Sequence, residues 1–204
     1  SGSMGCHKKG EEDWRYFEID PVMRDITTNP KNFSFTTNCL GTSPNIVMGY
    51  ARLTMTKQPD GFFDLIIVDA FSSDAVPVHL MTKEALELFK SKLTPKGVAV
   101  LHVSNRYLDL DGVLAATQPL VPDFHGVIVT DEHSEGYGAS ASTVVAFSKD
   151  PKSLDGFRQI PKRIQTTETR ELAEEHRRKQ LRPWTDDYSD IVGPFMVRNF
   201  PTRQ

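Results

Sequence analysis

The sequence predicts an α/β domain of three layers, in which helices cover both faces of a mostly parallel sheet that includes a late antiparallel hairpin. Two observations support this prediction. Short apolar runs typical of strands alternate with segments of helical periodicity along most of the chain. In addition, the strand-like run at residues 14–19 contains Glu18 near its end, where nucleotide-binding α/β units place an acidic residue that binds a ribose. Because ligands of such sheets lie outside the carboxyl ends of the strands, functional residues are expected there.

The composition is that of an ordinary globular domain. The chain has 204 residues, 38% of them hydrophobic, and a formal net charge of -3. This length supports one full hydrophobic core. The weak charge, without long runs of one sign, indicates neither a nucleic-acid partner nor an anionic membrane surface. No apolar run reaches the length of a membrane span, so no direct membrane contact is expected.

The cysteines and histidines bear on redox state and metal binding. Cys6 and Cys39 could pair, but outside a CxxC motif they are interpreted more simply as reduced thiols of an intracellular domain. The six histidines lack the spacing of metal ligands, so no metal is expected.

The first sixty residues predict short strands, each followed by a helix. Residues 14–19 are aromatic and β-branched, as in a strand, and Asp20 followed by Pro21 is a typical helix start. Glu18 is either a ribose ligand or a surface strand residue, and this segment alone does not decide between them. The next segments predict a loop with one short helical turn (residues 29–44), a brief strand (46–48) and part of a helix (53–57).

Residues 61–80 are the stretch around which the rest of the chain is organised. The apolar run at residues 65–68 is short and largely β-branched, which predicts a fully buried strand of a parallel sheet. This strand ends on Asp69, so chemistry is expected at Asp69 and in the acidic loop at residues 70–78. The alternative is that Asp69 caps a turn and that the loop is ordinary. The acidic and polar character of the loop favours the functional interpretation.

The remaining segments continue the alternation of helices and strands. They predict helices at residues 82–93 and 110–117, strands at residues 97–103, 125–130 and 142–147, and a charged surface helix at residues 169–180. The last two strands are separated by a polar segment with glycines, which predicts an antiparallel hairpin at one edge of the sheet.

Four segments that occur in order resemble one known family. They read YFEIDP, FDLIIVDAFSSDAVPVHLMTKEALELF, GVAVLHVSNRYLDL and WTDDYSD. Together they resemble the spermidine synthase-like proteins, the polyamine aminopropyltransferase branch of the S-adenosylmethionine-dependent methyltransferase fold. The resemblance is closer to the bacterial subgroup that is often fused behind transmembrane helices. It implies a Rossmann-like three-layer fold, a location in the cytoplasm or in the cytoplasmic domain of a membrane protein, and a homodimer.

The resemblance also assigns roles to individual residues. The catalytic aspartate of the family corresponds to Asp69, and the second acid of the same loop corresponds to Asp74. The ribose-binding acid corresponds to Glu18, and the adenine-binding Gly-Asp-Ala turn reads Gly-Tyr-Ala here. The cofactor-binding residues implied are Glu18, Asp20, Tyr50 and Ala51. The chemistry of a diamine makes Asp74, Asp186 and Asp187 candidates for its distal ammonium group and Tyr107 a candidate for its methylene chain. Trp184 and Tyr188 are expected to pack in the core or an interface.

The sequence departs from the family at three places. Tyr50 replaces the acid that contacts adenine, and the Pro-x-Gly-Pro pattern after the acidic loop is absent at residues 75–79. The Gly-x-Gly-Thr-Gly turn is reduced to Ser-Gly-Ser-Met-Gly at residues 1–5, and the strand before it has no counterpart. We therefore expect an N-terminally truncated domain at residues 14–204, preceded at residues 1–13 by a tag remnant or the remnant of that turn. Weak cofactor binding is expected because the backbone of such a turn approaches the cofactor.

Three hypotheses about function follow. The first is transfer of an aminopropyl group from decarboxylated S-adenosylmethionine to a diamine such as putrescine. The second is a methyltransferase that uses S-adenosylmethionine and an unknown acceptor, and the third is a non-catalytic domain that kept the fold. The acidic loop from Asp69 to Asp74 favours a cationic small-molecule amine as the substrate, and hence the first hypothesis.

Overall fold

The computed structural model describes residues 3–41, 44–70, 77–132, 141–162, 164, 166–179 and 181–199. The chain divides into two compact units, Ser1–Pro59 and Asp60–Gln204. Among the helices of the described residues, none has both the length and the apolar character needed to span a membrane.

The N-terminal unit contains a two-stranded parallel sheet and three helices. Its elements are β1 (Arg15–Glu18), α1 (Pro21–Thr28), α2 (Ser34–Leu40), β2 (Asn45–Met48) and α3 (Ala51–Thr56). The carboxylate of Asp20 accepts a hydrogen bond of 2.8 Å from the Val22 N–H, which confirms the predicted start of α1. Where the sequence predicted a loop with one short helical turn, α2 is a helix of 7 residues.

A disulfide bond joins Cys6 to Cys39, so the prediction of two reduced thiols is wrong for this structure. The segment Ser3–His7 forms a 3-10 helix that packs on α2 and brings the two Cα atoms within 4.6 Å. A Cβ atom at Gly5 would lie 2.5 Å from Leu40 Cδ2 and 2.8 Å from the Tyr16 hydroxyl oxygen, so a larger residue at this position would displace those side chains. The two cysteines are 33 residues apart without a recognisable motif, which explains why the sequence did not reveal the pair.

The C-terminal unit contains a five-stranded mixed sheet with the strand order β3-β4-β6-β5-β7. The strands are β3 (Phe63–Val68), β4 (Leu93–His102), β5 (His125–Asp131), β6 (Ser142–Ser148) and β7 (Thr167–Glu171). The helices are α4 (Lys83–Lys92), α5 (Leu110–Thr117), α6 (Asp155–Arg158), α7 (Leu172–Lys179) and α8 (Val192–Asn199). The α/β class is confirmed, and β5 and β6 pair antiparallel as predicted. Only β3 and β4 are parallel in this sheet, so among the described strands it is less parallel than expected.

The edge at β7 differs from the sequence prediction. Residues 169–180 were predicted as one helix, but β7 occupies Thr167–Glu171 and the helix α7 begins only at Leu172. Consequently β7, and not the β5–β6 hairpin, forms this edge of the sheet. Charged residues suit an edge strand because they discourage pairing with another chain, and the same residues favour a helix when the sequence is considered alone.

The opposite edge is β3, the strand that the sequence predicted to be fully buried. Ile66 and Val68 are only 5% and 7% exposed, whereas Leu65 and Ile67 are 49% and 41% exposed. Alternate side chains of a strand point to opposite faces, so one face of β3 packs in the core and the other is open. The prediction of a strand is therefore confirmed and the prediction of complete burial is wrong.

The elements around β3 and β4 hold the strand ends in place. Thr82 caps α4 by accepting a hydrogen bond from the Ala85 N–H, as the helix prediction required. The strand β4 begins at Leu93 rather than at Gly97, and its pairing with β3 shifts register between Phe63 and Leu65. A Cβ atom at Gly97 would lie 2.7 Å from the Phe63 carbonyl oxygen, so the close approach of the two strands requires glycine.

Candidate active site at the carboxyl ends of two parallel strands

Asp69 lies immediately after β3, and His102 is the last residue of β4. The two strands are parallel, and Val68 pairs with Leu101. Because the carboxyl ends of parallel neighbours meet at one edge, this register brings the side chains of Asp69 and His102 together.

Three hydrogen bonds connect the groups at this edge. Asp69 Oδ1 is 2.9 Å from His102 Nδ1, and His102 Nε2 is 2.8 Å from Ser104 Oγ. The backbone N–H of Thr143, next to the first residue of β6, donates to the same Ser104 Oγ at 2.7 Å. We call Asp69, His102 and Ser104 the strand-end network. The hydrogen bonds of this network, which involve His102 of β4 and Thr143 of β6, fix the direction of the Asp69 carboxylate.

The Asp69 side chain is open to solvent. It is 68% exposed, whereas the His102 ring is 36% exposed and Ser104 is half-buried. Among the described residues, the Asp69 carboxylate has the His102 contact and no other hydrogen bond or ion pair, which leaves Oδ2 available. A carboxylate with one anchored and one available oxygen can accept a proton from a cationic group or hold that group by charge.

Asp74 lies outside the described residues, as do residues 71–76 around it. The assignment of Asp74 to the amine substrate therefore stays a prediction. His102 and Ser104 were not selected from the sequence. The signal for His102 was present, because a polar residue ends the strand that follows Asp69 along the chain.

In the N-terminal unit, the residues assigned to the cofactor lie at the carboxyl ends of β1 and β2. The Gly49 N–H donates to the Glu18 carbonyl oxygen at 2.9 Å, which places the turn after β2 beside Glu18. Tyr50 is 61% exposed and precedes α3, whose first residue is Ala51. This arrangement groups Glu18, Tyr50 and Ala51 at one strand edge.

The two acids of this edge are already partly engaged. Glu18 Oε1 accepts a hydrogen bond of 2.9 Å from the Asp20 N–H. The Asp20 carboxylate caps α1, so its local role is structural. Glu18 is therefore the better placed of the two for a ribose, and both assignments stay predictions.

The described residues assigned to the amine lie in two segments. Asp186 Oδ1 accepts a hydrogen bond of 2.8 Å from Thr82 Oγ1, and the Asp186 N–H donates to Glu84 Oε2 at 2.9 Å. These bonds attach the turn that contains Asp186 and Asp187 to the start of α4. Tyr107 follows β4 in the chain and is 44% exposed.

The two aromatic residues near the C terminus have different environments. Trp184 is fully buried, and its Nε1–H donates to the Asp190 carbonyl oxygen at 3.2 Å, so the expectation of core packing is confirmed for Trp184. The Arg182 guanidinium lies 4.3 Å from the centre of the Tyr188 ring, a cation-π contact.

A second group of charged residues lies below the surface of the C-terminal unit. It joins α5 to β7 and α7 and consists of Asp109, Asp111, Arg170, Glu175 and Lys179, which we call the buried charge cluster. Lys179 Nζ lies 2.6 Å from both Asp109 Oδ1 and Glu175 Oε1, and 3.5 Å from Asp111 Oδ2. Arg170 contacts Glu175 at 2.8 Å and Asp111 at 3.3 Å.

Burial controls the protonation of this cluster. Desolvation, followed by the hydrogen bond and negative charge of Asp111, raises the pKa of Asp109 to about 7. Burial also raises the pKa of Asp111. The hydrogen bond from Asp109 and the positive charges of Lys179 and Arg170 outweigh burial, so the pKa of Asp111 lies below its usual value. Asp109 Oδ2 is buried and has no hydrogen-bond partner among the described residues.

Within the described part of the chain, no group of three or more His, Cys, Asp or Glu residues has the geometry of a metal site. The side chains of Asp69 and His102 in the strand-end network are groups that can exchange protons and present charge.

Comparisons with known proteins were made at the levels of sequence and fold. No family model and no curated protein matches the sequence. Among solved structures, a probable spermidine synthase from Corynebacterium glutamicum is similar with a TM-score of 0.56 and 14% identity, over 86% of this chain and 73% of that chain.

Two further structures are similar over different lengths. Spermidine synthase from Thermotoga maritima gives a TM-score of 0.47 at 17% identity, over 91% of this chain and 57% of that chain. A SAM dependent methyltransferase from Archaeoglobus fulgidus gives a TM-score of 0.37 at 16% identity, over 66% of this chain and 86% of that chain. This chain thus spans little more than half the length of the Thermotoga enzyme. At these identities the likeness concerns the fold alone, and it is the structure from Corynebacterium that supports a Rossmann-like α/β fold for this chain.

Proposed function

We propose that this chain is a domain of the aminopropyltransferase type, which transfers an aminopropyl group from decarboxylated S-adenosylmethionine to a diamine such as putrescine. The observation that carries the proposal is the Asp69 carboxylate, which is anchored through one oxygen and exposed at the carboxyl end of a parallel strand. The fold similarity to a probable spermidine synthase supports the same class. A homodimer and a cytoplasmic location belong to the proposal as well, and both follow from the family resemblance alone, because the Cys6–Cys39 bond removes the argument from reduced thiols.

The reaction would need little from the protein beyond positioning and proton removal. A primary amine attacks the carbon next to the sulfonium, the N–C bond forms, the C–S bond breaks, and neutral 5'-methylthioadenosine leaves. An amine with a pKa of about 10.4 is almost wholly protonated at neutral pH. In this proposal Asp69 Oδ2 first accepts a proton from the ammonium group, the resulting neutral amine attacks, and Asp69 then releases the proton to water. Asp74, Tyr107, Asp186 and Asp187 would hold the remainder of the diamine.

The cofactor would bind at the strand edge of the N-terminal unit, with Glu18 on the ribose hydroxyls. Tyr50, 61% exposed, would offer its ring or hydroxyl to the adenine, together with the backbone at Ala51. Asp20 would act mainly by fixing the start of α1 beside Glu18, because its carboxylate caps that helix.

Product analysis tests the proposed function. The purified protein is incubated with putrescine and a high concentration of decarboxylated S-adenosylmethionine, and the products are separated by liquid chromatography. We expect spermidine and 5'-methylthioadenosine in equal amounts. The Asp69→Asn variant should lose about 100-fold or more in kcat, the usual contribution of a general base. Asp123→Asn is a matched control, because Asp123 is exposed and its positive φ of 53° suits asparagine.

Two results would contradict the proposal. Formation of S-adenosylhomocysteine from S-adenosylmethionine, with no reaction of the decarboxylated compound, would assign methyl transfer instead. An Asp69→Asn variant as fast as the wild type would remove Asp69 from the reaction.

A further inference from the structure

The strand-end network contains two residues to which the proposed function assigns no role, His102 and Ser104. Their hydrogen bonds run in sequence from the exposed Asp69 carboxylate to the Thr143 backbone N–H, at 2.9, 2.8 and 2.7 Å. Each distance is within the normal range for a hydrogen bond. Asp69 is therefore supported by a connected set of groups that ends on the backbone of the sheet.

Both ends of the network restrict where the protons lie, because the Asp69 carboxylate can only accept a hydrogen bond and the Thr143 N–H can only donate one. The Thr143 N–H is an obligate donor, so it occupies one acceptor position of Ser104 Oγ. The Ser104 hydroxyl proton remains free to point at His102 Nε2, which then acts as an acceptor. A neutral imidazole with an acceptor at Nε2 carries its proton on Nδ1, and that proton faces Asp69 Oδ1.

The surroundings of the ring agree with this arrangement. Of the described residues in contact with the His102 side chain through hydrogen bonds, Asp69 is charged and Ser104 is neutral. The register partner of His102 on β6 is Val144, which is neutral as well. Ser104 is half-buried and holds a backbone N–H, so its hydroxyl anchors the ring rather than attacking a substrate.

We infer that His102 is a positioning residue for Asp69, held in its Nδ1–H tautomer by Ser104, and that it directs the free Oδ2 atom of Asp69 toward the substrate amine. This inference rests on the proposed function for its catalytic consequence. In the reaction, the ammonium group loses its proton to Asp69 Oδ2 while His102 keeps its own proton on Nδ1. The imidazole therefore acts on the orientation of the carboxylate and on the placement of its negative charge.

The tautomer provides a test that does not depend on activity. Nitrogen NMR of the neutral ring, with His102 identified by its absence from the His102→Asn spectrum, should show the proton on Nδ1 in the wild type. The Asp69→Ala variant removes the acceptor, so the proton should move to Nε2 and donate to Ser104 Oγ. A wild-type ring with its proton on Nε2 would overturn the inference, whether or not the protein is an aminopropyltransferase.

Kinetics test the catalytic consequence. His102→Leu removes the donor and should lower kcat about 10- to 100-fold, with a smaller change in KM, because a misplaced base slows the reaction more than it weakens binding. His102→Asn retains an amide donor near the position of Nδ1 and should keep kcat within about 10-fold of the wild type. His125→Asn is the matched control, because His125 is exposed at the start of β5.

The failures of the two proposals are distinguishable. A His102→Leu variant with wild-type kcat overturns the positioning role even if the protein is an active aminopropyltransferase. A wild type that forms no 5'-methylthioadenosine with any diamine overturns the proposed function, and the NMR result then decides the inference about the tautomer alone.

Discussion

The strand-end network and the buried charge cluster are two acidic groupings of the same unit that differ in what their carboxylates contact. In the buried cluster, Asp111 and Glu175 each contact both Arg170 and Lys179, and Asp109 contacts Lys179. In the strand-end network, the one described partner of the Asp69 carboxylate is His102, whose side chain can be neutral, and the Asp69 side chain is 68% exposed.

The comparison shows that a displaced pKa and an available functional group need not coincide. Asp109 has a pKa raised to about 7, a value often taken to indicate a catalytic acid or base, yet it is only 2% exposed. Its displacement follows from burial and from Asp111, and its neighbours join α5 to α7. Asp69 can meet a substrate because it is exposed and has an oxygen left over. In the proposed function, solvent access rather than a displaced pKa therefore distinguishes Asp69 as the candidate base.

The largest effect should come from Lys179, the cation at the centre of the buried cluster. Lys179→Met would leave buried carboxylates without one of their two cations, so we expect a loss of about 3–5 kcal/mol in the free energy of unfolding. Urea denaturation at neutral pH measures it. Lys83→Met is the matched control, because the Lys83–Glu87 pair, at 3.5 Å, is exposed and its loss should change stability by less than about 0.5 kcal/mol. Equal effects of the two substitutions would remove the distinction between buried and exposed pairs.

The second effect is a pH dependence that belongs to Asp109. Folding raises its pKa from the ordinary 3.8 to about 7, so the folded protein keeps a proton that the unfolded chain releases. Its stabilising contribution is therefore complete below pH of about 4 and is lost as the pH rises to about 7. Asp109→Asn keeps a neutral side chain that can donate a hydrogen bond at every pH. The difference between the free energies of unfolding of this variant and of the wild type should therefore be about 2–4 kcal/mol more favourable to the variant at neutral pH than at about pH 4.

Urea denaturation at a series of pH values measures this difference. Asp123→Asn, at an exposed aspartate, should follow the wild-type curve throughout. An Asp109→Asn curve parallel to that of the wild type would show that Asp109 is ionised in the folded protein and would break the contrast with Asp69.

The smallest effect should be on stability at the strand-end network. Asp69→Asn changes a side chain that is 68% exposed and keeps an oxygen for the His102 hydrogen bond, so the free energy of unfolding should change by less than about 0.5 kcal/mol. The same urea measurement applies. A loss above about 2 kcal/mol would make Asp69 a structural residue and would weaken the explanation of its effect on turnover.

The sequence was sufficient for the elements that local signals define. The Asp20–Pro21 start of α1, the strand before Asp69 and the hairpin of β5 and β6 each follow from caps or from apolar patterns of a few residues. The position of Asp69 at the end of its strand followed from the same reasoning.

Features that depend on which segments pack together could not be predicted in this way. His102 joins the site because β4 lies beside β3 in one register, and Arg170 meets Asp111 across 59 residues of sequence. The strand β7 was hidden because its charged residues favour a helix locally, while the edge of a sheet accepts them. The exposure of Leu65 and Ile67 shows that only one face of β3 is packed, which an apolar run does not reveal.

The Cys6–Cys39 bond has a consequence for experiments on the cofactor edge. It closes a covalent ring that contains all of β1 and α1, and therefore Glu18 and Asp20, so in the oxidised protein this segment cannot separate from α2 by more than the bond allows. In the chain-entropy model, a ring of this size raises the free energy of the unfolded chain by about 3–4 kcal/mol. Addition of a reducing agent, a routine step in purification, would release that restraint. Titrations with decarboxylated S-adenosylmethionine in the presence and absence of reductant would therefore compare two covalently different proteins.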